Sequence, residues 1–323
     1  MEVLRDVEAC RPGGGSVVSI GAYDGVHLGH QAVIASVRER AAALGVQSAV
    51  VTFDRHPASV VRPASAPRLL TDLEQKLELL SATGLDRCLV ISFDEARSHE
   101  PAEEFVREVL VNALGAKAVI VGEDFHFGHQ RRGNVALLTE MGAEHGFDVV
   151  GLELVDGTGA PAAEGERASS TAIRHALVEG DLGRATSMLG RAYEVRGVVA
   201  HGDKRGRELG FPTANVSVPG DILLPADGIY AGAATRPDGE SFPAAISIGT
   251  KPTFGTHPRV CEAHLIGFDG PLNEYDWPIR LRFHRWLRDQ LTYPRVEPLI
   301  EQLQRDIAAV KAMADSVLCC AHE

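Results

Sequence analysis

Residues 16–30 read SVVSIGAYDGVHLGH, an apolar run followed by a glycine-rich turn and the start of a stretch with helical spacing. Three of the first five residues are apolar, namely Val17, Val18 and Ile20, which is typical of a short strand. Gly21 and Gly29 allow close backbone approach to a ligand, and the N-terminus of the following helix presents free N–H groups. His27 and His30 add donors three residues apart. The stretch therefore predicts a strand, a phosphate-binding turn and a helix.

The composition favours a globular protein with two domains. The chain has 323 residues, 45% of them hydrophobic, and a formal net charge of −12, which argues against a general nucleic-acid-binding surface. No apolar stretch is long enough to span a membrane, and the charged residues from Met1 to Arg11 argue against a signal peptide. The five cysteines contain no Cys-x-x-Cys pair. These features favour a reduced, cytoplasmic setting.

The first half of the chain alternates between apolar runs and helical patterns. Strands are predicted at residues 46–53, 87–93, 117–122 and 147–154. Thr71–Glu74 forms a capping box that predicts a helix start, and a second helical pattern covers residues 103–114. Strands that alternate with helices predict a Rossmann-like parallel sheet with its ligands at the carboxyl ends of the strands.

Four polar segments follow predicted strands or open a helix, and they could converge at that edge. They are the His27/His30 turn, residues 52–57 (TFDRHP), residues 121–128 (VGEDFHFG) and residues 167–174 (RASSTAIR). Each segment alone has an ordinary explanation as a helix cap, a core strand end or a surface pair. The second histidine pair at 126–129 does not favour zinc, because neither cysteine ligands nor a helical His-Glu-x-x-His accompany it. Their occurrence together favours a nucleotide site.

The second half predicts a different architecture. Short apolar or alternating runs separated by Gly and Pro predict a small antiparallel β-barrel. These runs cover residues 193–200, 228–235, 243–248, 260–268 and 279–284. Two short helices near 170–179 and 181–189 precede them, and apolar residues at helical spacing over 296–313 predict a closing helix. We place the domains at 1–187 and 188–323.

Residues 197–215 form the densest segment of this second domain. Their glycines and basic residues suit either a phosphate-binding flap or a solvated turn, and they do not form a Walker loop because Asp203 follows Gly202. Thr213 and Asn215 are two apart on an extended segment, so they point the same way and offer two neutral oxygens that suit Mg²⁺. Glu262 by itself would be an ordinary surface glutamate.

Taken together, these motifs resemble the bacterial bifunctional riboflavin kinase/FMN adenylyltransferases, also called prokaryotic FAD synthetases. The resemblance runs from about Val17 to Ala312. Its first half rests on the four segments above. Its second half rests on GRELGFPTAN, on Pro225–Tyr230, on Ile248–Phe254 and on Glu262–Leu265. The order of so many separate motifs makes the resemblance specific.

The resemblance implies a role for each matched residue. Glu262 would be the general base of riboflavin phosphorylation, Thr213 and Asn215 would hold Mg²⁺, and His27 and His30 would act on ATP phosphates in FMN adenylylation. The residues expected at ATP or other phosphates are Gly21, Asp24, Gly29, Arg167, Ser170, Thr171, Arg174, Gly202, Lys204, Gly206 and Arg207. The residues expected at the flavin are Tyr23, Arg55, His56, Asp124 and His126.

Four positions depart from the family pattern. Tyr23 stands where Phe is usual, Arg55 replaces a proline, His126 replaces an arginine, and Ser247 stands where Asn is common. Arg55 and His126 fall at the expected flavin end of the adenylylation site. One hypothesis is that Arg55 supplies the charge that His126 lacks.

The implied partners are small molecules, namely riboflavin, FMN and ATP, without nucleic acid or membrane. The oligomeric state stays open. The alternatives are a chain with kinase activity alone, a nucleotidyltransferase for another phosphate, a non-catalytic flavin- or nucleotide-binding regulator, and a nucleic-acid-binding barrel. The second of these would leave residues 193–323 unexplained, and a regulator would not need a base such as Glu262.

Overall fold

Contacts between residues divide the chain into two units, Met1–Ser170 and Thr171–Glu323. The computed structural model of the protein describes residues 1–10, 13–152, 168–202, 205–250 and 259–319. This boundary after Ser170 lies earlier in the chain than the predicted domain boundary after residue 187. The boundary after residue 187 concerns where the two activities divide, and it stays a prediction.

The first unit alternates strands and helices. Its strands are β1 (Glu2–Arg5), β2 (Ser16–Ile20), β3 (Gln47–Phe53), β4 (Arg87–Ile91), β5 (Ala116–Gly122), β6 (His126–Phe127), β7 (Gly133–Asn134) and β8 (Asp148–Leu152). Its helices are α1 (Leu28–Leu44), α2 (Pro57–Val61), α3 (Leu73–Ala82), α4 (Glu95–Ser98), α5 (Ala102–Phe105), which continues as a π-helix over Val106–Ala113, and α6 (Val135–His145). The four strands predicted in this half are confirmed to within a few residues at their ends.

Six of these strands form a sheet in the order β1-β4-β3-β2-β5-β8, and every neighbouring pair is parallel. From β2 the chain proceeds to one side through β3 and β4, and then returns to the other side of β2 with β5 and β8. The strand order therefore reverses beside β2. In open parallel sheets, ligands bind outside the carboxyl ends of the strands at such a reversal. The turn that follows β2 lies at this position.

Both faces of the sheet are covered, which explains the apolar character of its central strands. Val18 and Leu89 face a core that includes Leu110 from the π-helical stretch. Val17 and Val50 face the opposite core, which includes residues of α1 and α3. Neighbouring residues of one strand thus enter opposite cores, as the alternation of side chains along a strand requires.

One feature of this unit was predicted wrongly from the sequence, and another was not predicted at all. The helix after Thr71 is capped by Asp72, whose carboxylate accepts from the Gln75 N–H at 2.7 Å, so the predicted Thr71 capping box is wrong. Thr71 instead bonds to the turn after β2. Strand β1 was not predicted, because it has only four residues. Leu4 alone among them is buried, so the strand shows no recognisable periodicity.

The second unit is a closed barrel with helices. After α7 (Ser170–Glu179) and α8 (Leu182–Leu189) come β9 (Tyr193–Ala200), α9 (Arg205–Glu208), β10 (Ala214–Ser217), β11 (Gly228–Thr235), β12 (Ser241–Gly249), β13 (Val260–Leu265), β14 (Pro278–Arg288) and α10 (Val296–Cys319). The strands close in the order β10-β13-β12-β11-β14-β9, and all neighbours are antiparallel. The predicted barrel and closing helix are confirmed.

Alternation along the strands separates the inside of the barrel from its outer wall. Tyr230, Ile246 and Phe283 are fully buried in the interior. On the outer wall, Ala231 packs with Val310 of α10, so this helix covers part of that wall. Among the described residues, no helix has the length and apolar character needed to cross a membrane.

The barrel depends on a glycine where β11 meets β14. A Cβ atom at Gly232 would lie 2.1 Å from the carbonyl oxygen of Arg282, so the two backbones would have to separate. We expect Gly232→Ala to destabilise the protein by about 1–3 kcal/mol, as overpacking does, and to lower the urea midpoint. Gly220→Ala is the matched control, since nothing lies within 4 Å of its added carbon. Equal midpoints for the two variants would contradict this account.

Candidate functional site

The turn after β2 leads directly into α1, and two histidines line its exit. His27 is the N-cap of α1, and its Nδ1 accepts from the His30 N–H at 3.4 Å. A neutral imidazole that accepts at Nδ1 carries its proton on Nε2, so His27 is a donor at that nitrogen. The His30 ring stacks on His27 with centroids 3.7 Å apart, and Tyr23 lies 4.9 Å from it. The predicted pair is thus one stacked unit at a helix N-terminus.

The backbone of this turn is strained. Tyr23 and Val26 adopt φ values of 51° and 37°, which cost about 1–3 kcal/mol each and persist only where the surroundings impose them. The buried Asp24 carboxylate accepts from the backbone N–H groups of Leu70 and Thr71 at 2.9–3.1 Å. Asp24, which the sequence assigns to phosphate binding, thereby fastens the turn to the segment before α3.

The fourth predicted segment meets the same turn. The Ser170 hydroxyl donates to the Asp24 carbonyl at 2.9 Å. A Cβ at Gly29 would lie 3.1 Å from the Ala168 carbonyl oxygen, so the absent side chain permits this approach. Residues 168–170 and the turn therefore form one surface of the first unit, as the sequence predicts. The adjacent α1 terminus supplies backbone N–H groups there.

Other predicted residues have no described place at this surface. Arg167 and Lys204 lie outside the described residues, and the motif Ile248–Phe254 does so in part. Thr171 and Arg174 follow Ser170 in α7, but their contacts assign them to the second unit. Their roles stay predictions.

The loop after β3 carries two residues predicted at the flavin. His56 caps α2, with Nδ1 accepting from a backbone N–H at 3.1 Å. Arg55 is 59% exposed, and its Nε lies 3.5 Å from Asp54. Burial raises the pKa of Asp54, but hydrogen bonds from the Phe93 N–H and the Ser92 hydroxyl outweigh it and lower the pKa overall. Arg55 is therefore an exposed cation on a firmly held loop.

The segment after β5 combines core aromatic residues with exposed polar ones. Phe125 and Phe127 stack with centroids 5.5 Å apart and pack against the core, which is the ordinary explanation of these residues. Asp124 and His126 are exposed, and His126 Nδ1 donates to the Asp124 carbonyl at 2.8 Å. This turn lies beside the strand reversal, since β5 neighbours β2.

Sequence reasoning missed a buried lysine beneath these loops. Lys76 of α3 is 7% exposed, and its Nζ donates to the carbonyls of Phe53 at 2.7 Å and Ala22 at 3.3 Å. Burial lowers the pKa of this ammonium, an effect that the charge of Asp24 opposes. Its burial could have been predicted from its position in the sequence, because Lys76 follows Leu73 by three residues and so lies on the apolar face of the helix.

The second unit contains a cavity of about 290 Å³ beside β10. Thr213 and Asn215, the predicted Mg²⁺ ligands, both line it, and so do Gly202 and Arg207. Its other lining residues are Val199, Ala200, Gly210, Pro212, Ala214, His264, Leu265, Gly267, Phe268, Pro271, Leu272, Glu274, Tyr275 and Trp277. The volume and mixed lining suit a small ligand with aromatic and anionic parts.

Packing explains why glycine occurs at two of the residues predicted at phosphates, Gly202 and Gly206. A Cβ at Gly202 would lie 2.0 Å from Asn215 Nδ2. A Cβ at Gly206 would lie 2.4 Å from the Phe211 carbonyl oxygen and 3.4 Å from Thr213 Oγ1. A side chain at Gly202 would therefore displace the Asn215 side chain, and one at Gly206 would displace the Phe211 carbonyl, two residues before Thr213.

Glu262 lies directly across from Asn215 in the pairing of β10 with β13. Residues opposite each other in antiparallel strands share a face, with Cβ atoms about 4.5–5.5 Å apart. Cys261 and Ala263 point to the buried interior, so Glu262 and Asn215 share the outer wall. On the other side Glu262 pairs with Ser247, whose hydroxyl accepts from Gln290 at 3.2 Å. The Glu262 carboxylate and the Asn215 amide are thus neighbours on the outer wall, and Asn215 also lines the cavity.

Sequence reasoning also missed the aromatic residues of this cavity. The Tyr275 ring lies against the His201 ring, with centroids 3.7 Å apart and planes tilted by 31°, and Trp277 donates its indole N–H to the Glu274 carbonyl at 3.2 Å. Phe268 also lines the cavity. The sequence did contain an indication of them, because two aromatic residues occur in the polar segment NEYDWP at 273–278, which ends at a proline.

Comparisons with known proteins cover both units. The family model described as FAD synthetase matches residues 11–171, and the model described as riboflavin kinase matches residues 189–314. A bifunctional riboflavin kinase/FMN adenylyltransferase of Pseudomonas fluorescens is 38% identical over 97% of this chain and 98% of its own. The chain belongs to this family. The relative from Haemophilus influenzae is 34% identical over 98% of this chain and 100% of its own.

One further member of the family and one solved structure are also similar to this chain. The relative from Listeria monocytogenes is 37% identical over 90% of both chains. A crystal structure titled as a macrolide-efflux protein from Streptococcus pneumoniae superposes with a TM-score of 0.81 over 96% of this chain and 98% of its own. At 24% identity that likeness shows the fold alone. The family predicted from the motif order is confirmed.

Proposed function

We propose that this chain phosphorylates riboflavin to FMN with ATP in its barrel unit and adenylylates FMN to FAD in its sheet unit, with release of pyrophosphate. Family membership over nearly the whole chain supports both reactions. The observation that carries the assignment of residues is the pairing of Asn215 with Glu262 beside the cavity. This pairing places the proposed base, Glu262, next to Asn215, whose amide oxygen is a proposed Mg²⁺ ligand.

In the kinase step, Glu262 takes the proton from the ribityl hydroxyl of riboflavin. That hydroxyl is neutral at pH 7, so it gains nucleophilicity as the proton leaves. Its oxygen forms a bond to the γ-phosphorus of ATP, the bond to the β–γ bridging oxygen breaks, and ADP leaves. Asn215, one strand away, positions the phosphate end relative to Glu262. The aromatic side chains Tyr275 and Trp277 would contact the flat parts of the ligands.

Thr213 and Asn215 fit a Mg²⁺ ion that is shared with ATP. Two neutral protein oxygens suit this ion, because Mg²⁺ keeps several waters and takes its remaining ligands from substrate phosphates. Gly202 leaves room for the Asn215 side chain, and Gly206 leaves room for the Phe211 carbonyl that precedes Thr213. Bound there, the ion would neutralise phosphate charge. Arg207 and Lys204 would add positive charge at the same phosphates.

In the adenylylation step, the FMN phosphate attacks the α-phosphorus of ATP and pyrophosphate leaves. The nucleophile is already an anion, so positioning and charge neutralisation supply the catalysis and no base is required. His27 donates from Nε2, His30 stacks beside it, and the α1 N-terminus adds backbone donors. Gly21 and Gly29 let the phosphates approach this backbone.

Further contacts to ATP and FMN complete the adenylylation site. Ser170, Thr171, Arg167 and Arg174 would hold the nucleotide. His56, Asp124, His126 and Arg55 would lie at the flavin. Tyr23 is 2% exposed in the core, so it would act through the His30 ring that it contacts.

Arg55 is expected to supply charge at the flavin end in place of the usual arginine at position 126. We expect Arg55→Ala to raise the KM for FMN in adenylylation by about tenfold, the effect of losing one charge-assisted contact. Riboflavin phosphorylation should not change. Arg40→Ala is the matched control, because Arg40 is an exposed arginine of the same unit paired with Asp148. Unchanged FAD formation and FMN affinity in Arg55→Ala would contradict the hypothesis.

A single incubation tests the proposed function. The protein is mixed with riboflavin, ATP and Mg²⁺, and the flavins are separated over time. FMN should form first and FAD should follow, and chelation of Mg²⁺ should stop the phosphorylation. Accumulation of FMN without FAD would leave the kinase alone, and binding of flavin without any product would indicate a regulator.

The proposed location is the cytoplasm. Cys10, Cys88 and Cys261 are free thiols, and burial raises the pKa of Cys88 and of Cys261 to about 12. Such thiols are unreactive structural residues that require no oxidising compartment. Labelling of the intact protein with a thiol reagent under native conditions should spare Cys88 and Cys261.

A further inference from the structure

A buried ammonium joins the two loops that follow β2 and β3. The Nζ of Lys76 donates to the carbonyl of Ala22, in the turn after β2, and to the carbonyl of Phe53, the last residue of β3. Lys76 itself belongs to α3, which lies on one face of the sheet. One side chain thus connects a helix to the ends of two adjacent parallel strands. A buried, charged donor is costly to retain for stability alone.

The turn that receives this bond requires support from outside. Val26 is β-branched and has φ 37°, a conformation that such residues adopt only under constraint. The Thr52 hydroxyl donates to the same Ala22 carbonyl at 3.2 Å, and Asp24 fastens the turn from the other side. Thr52 belongs to β3, so its bond joins the turn to the end of that strand, and Lys76 adds a second link that also reaches α3. Lys76 therefore helps to set the distance between the His27/His30 end and the loop of Arg55 and His56.

We propose that Lys76 is a positioning residue for FMN adenylylation, which holds the phosphate-binding turn in register with the loop after β3. This inference rests on the proposed adenylylation function of the first unit. The transferred phosphorus and the attacking FMN phosphate must meet within a few tenths of an ångström, and a displacement of about 1 Å costs about a hundredfold in rate. Lys76 fixes this alignment without contacting either substrate.

The charge of Lys76 also matters for the turn. The Asp24 carboxylate is buried and lies near enough to interact with the ammonium. Without that positive charge, the buried carboxylate would lose a favourable interaction, which would favour a turn displaced towards solvent. An uncharged side chain of the same length should therefore displace the turn even where it fills the space.

Lys76→Met tests the proposal in the full-length chain. FMN and ATP are supplied directly, and kcat and KM for ATP are measured for FAD formation, alongside riboflavin phosphorylation by the same sample. We expect kcat to fall and KM for ATP to rise, with kcat/KM lower by about tenfold to a hundredfold. Riboflavin phosphorylation should stay within about twofold of the wild type.

Leu80→Ala is the matched control. Leu80 is fully buried on the same helix, so its truncation loosens α3 without touching either loop carbonyl. Loss of folded protein lowers kcat and leaves KM unchanged, and Leu80→Ala should behave in this way. An unchanged KM for ATP in Lys76→Met would overturn the proposal. If Lys76→Met does not fold, Lys76→Gln, which keeps a donor and lacks the charge, is measured in the same way and judged by the same KM.

The wild-type protein separates this inference from the function on which it rests. Wild-type protein that forms no FAD from FMN would refute the adenylylation assignment itself. Wild-type protein that forms FAD, with Lys76→Met forming it at an equal kcat and KM, would refute the role of Lys76 alone.

Discussion

Glu262→Gln is expected to lower the rate of riboflavin phosphorylation about 10²–10⁴-fold, the usual contribution of a general base. FAD synthesis from supplied FMN should continue at the wild-type rate. The substitution keeps the size and shape of the side chain and removes only its ability to accept the hydroxyl proton. Because Glu262 lies opposite Asn215 on the outer wall of the barrel, the barrel interior should not be disturbed. Product separation after incubation with riboflavin or with FMN measures each reaction.

Glu240→Gln provides the control for this substitution. Glu240 lies in the exposed turn between β11 and β12, so the same chemical change there should affect neither reaction. A Glu262→Gln protein that still phosphorylates riboflavin within about tenfold of the wild-type rate would rule out the base role. Equal loss of both reactions would show that the two sites are not independent.

His30→Ala is expected to lower FAD formation from FMN and ATP about 10²–10³-fold, the effect of removing one preorganised donor from a transition state. The His30 ring stacks on His27 at 3.7 Å, so its loss also frees the ring that caps α1. FMN formation from riboflavin belongs to the barrel unit and should be unaffected. FMN should therefore accumulate when riboflavin is supplied to the His30→Ala protein.

His145→Ala is the matched control, since His145 ends α6 in the same unit and belongs to no predicted site. It should leave FAD formation within about twofold of the wild type. If His30→Ala forms FAD at the same rate as His145→Ala, the turn after β2 does not carry the chemistry proposed for it.

Local patterns predicted most of the architecture. The unbroken apolar runs of β3 and β5 indicated strands covered on both faces, and the shorter runs from Tyr193 onward indicated an antiparallel barrel. Patterns that depend on few residues were less informative. Strand β1 has four residues, and β10 has four, so neither shows a period long enough to distinguish it from a loop.

The capping error at Thr71 has a definite physical cause. Thr71 and Asp72 are both good N-caps, and the sequence places them next to each other. Thr71 is drawn instead to the turn after β2, where its hydroxyl accepts from the Gly25 N–H at 3.2 Å and lies 3.3 Å from Asp24. Asp72 is then left to cap α3. A tertiary contact decided between two local alternatives of similar energy.

The sequence by itself determined the family of this protein: the Gly21–His30 turn, the Thr213/Asn215 pair and Glu262 occur in motifs whose order identifies it. Residue types and their local spacing carry that information. The tertiary structure alone decided how these groups are held. The bond from Lys76 to Ala22 and the pairing of Asn215 with Glu262 join residues far apart in the chain. Local periodicity contains no term for such contacts, because they form only when packing of the sheet and closure of the barrel bring the segments together.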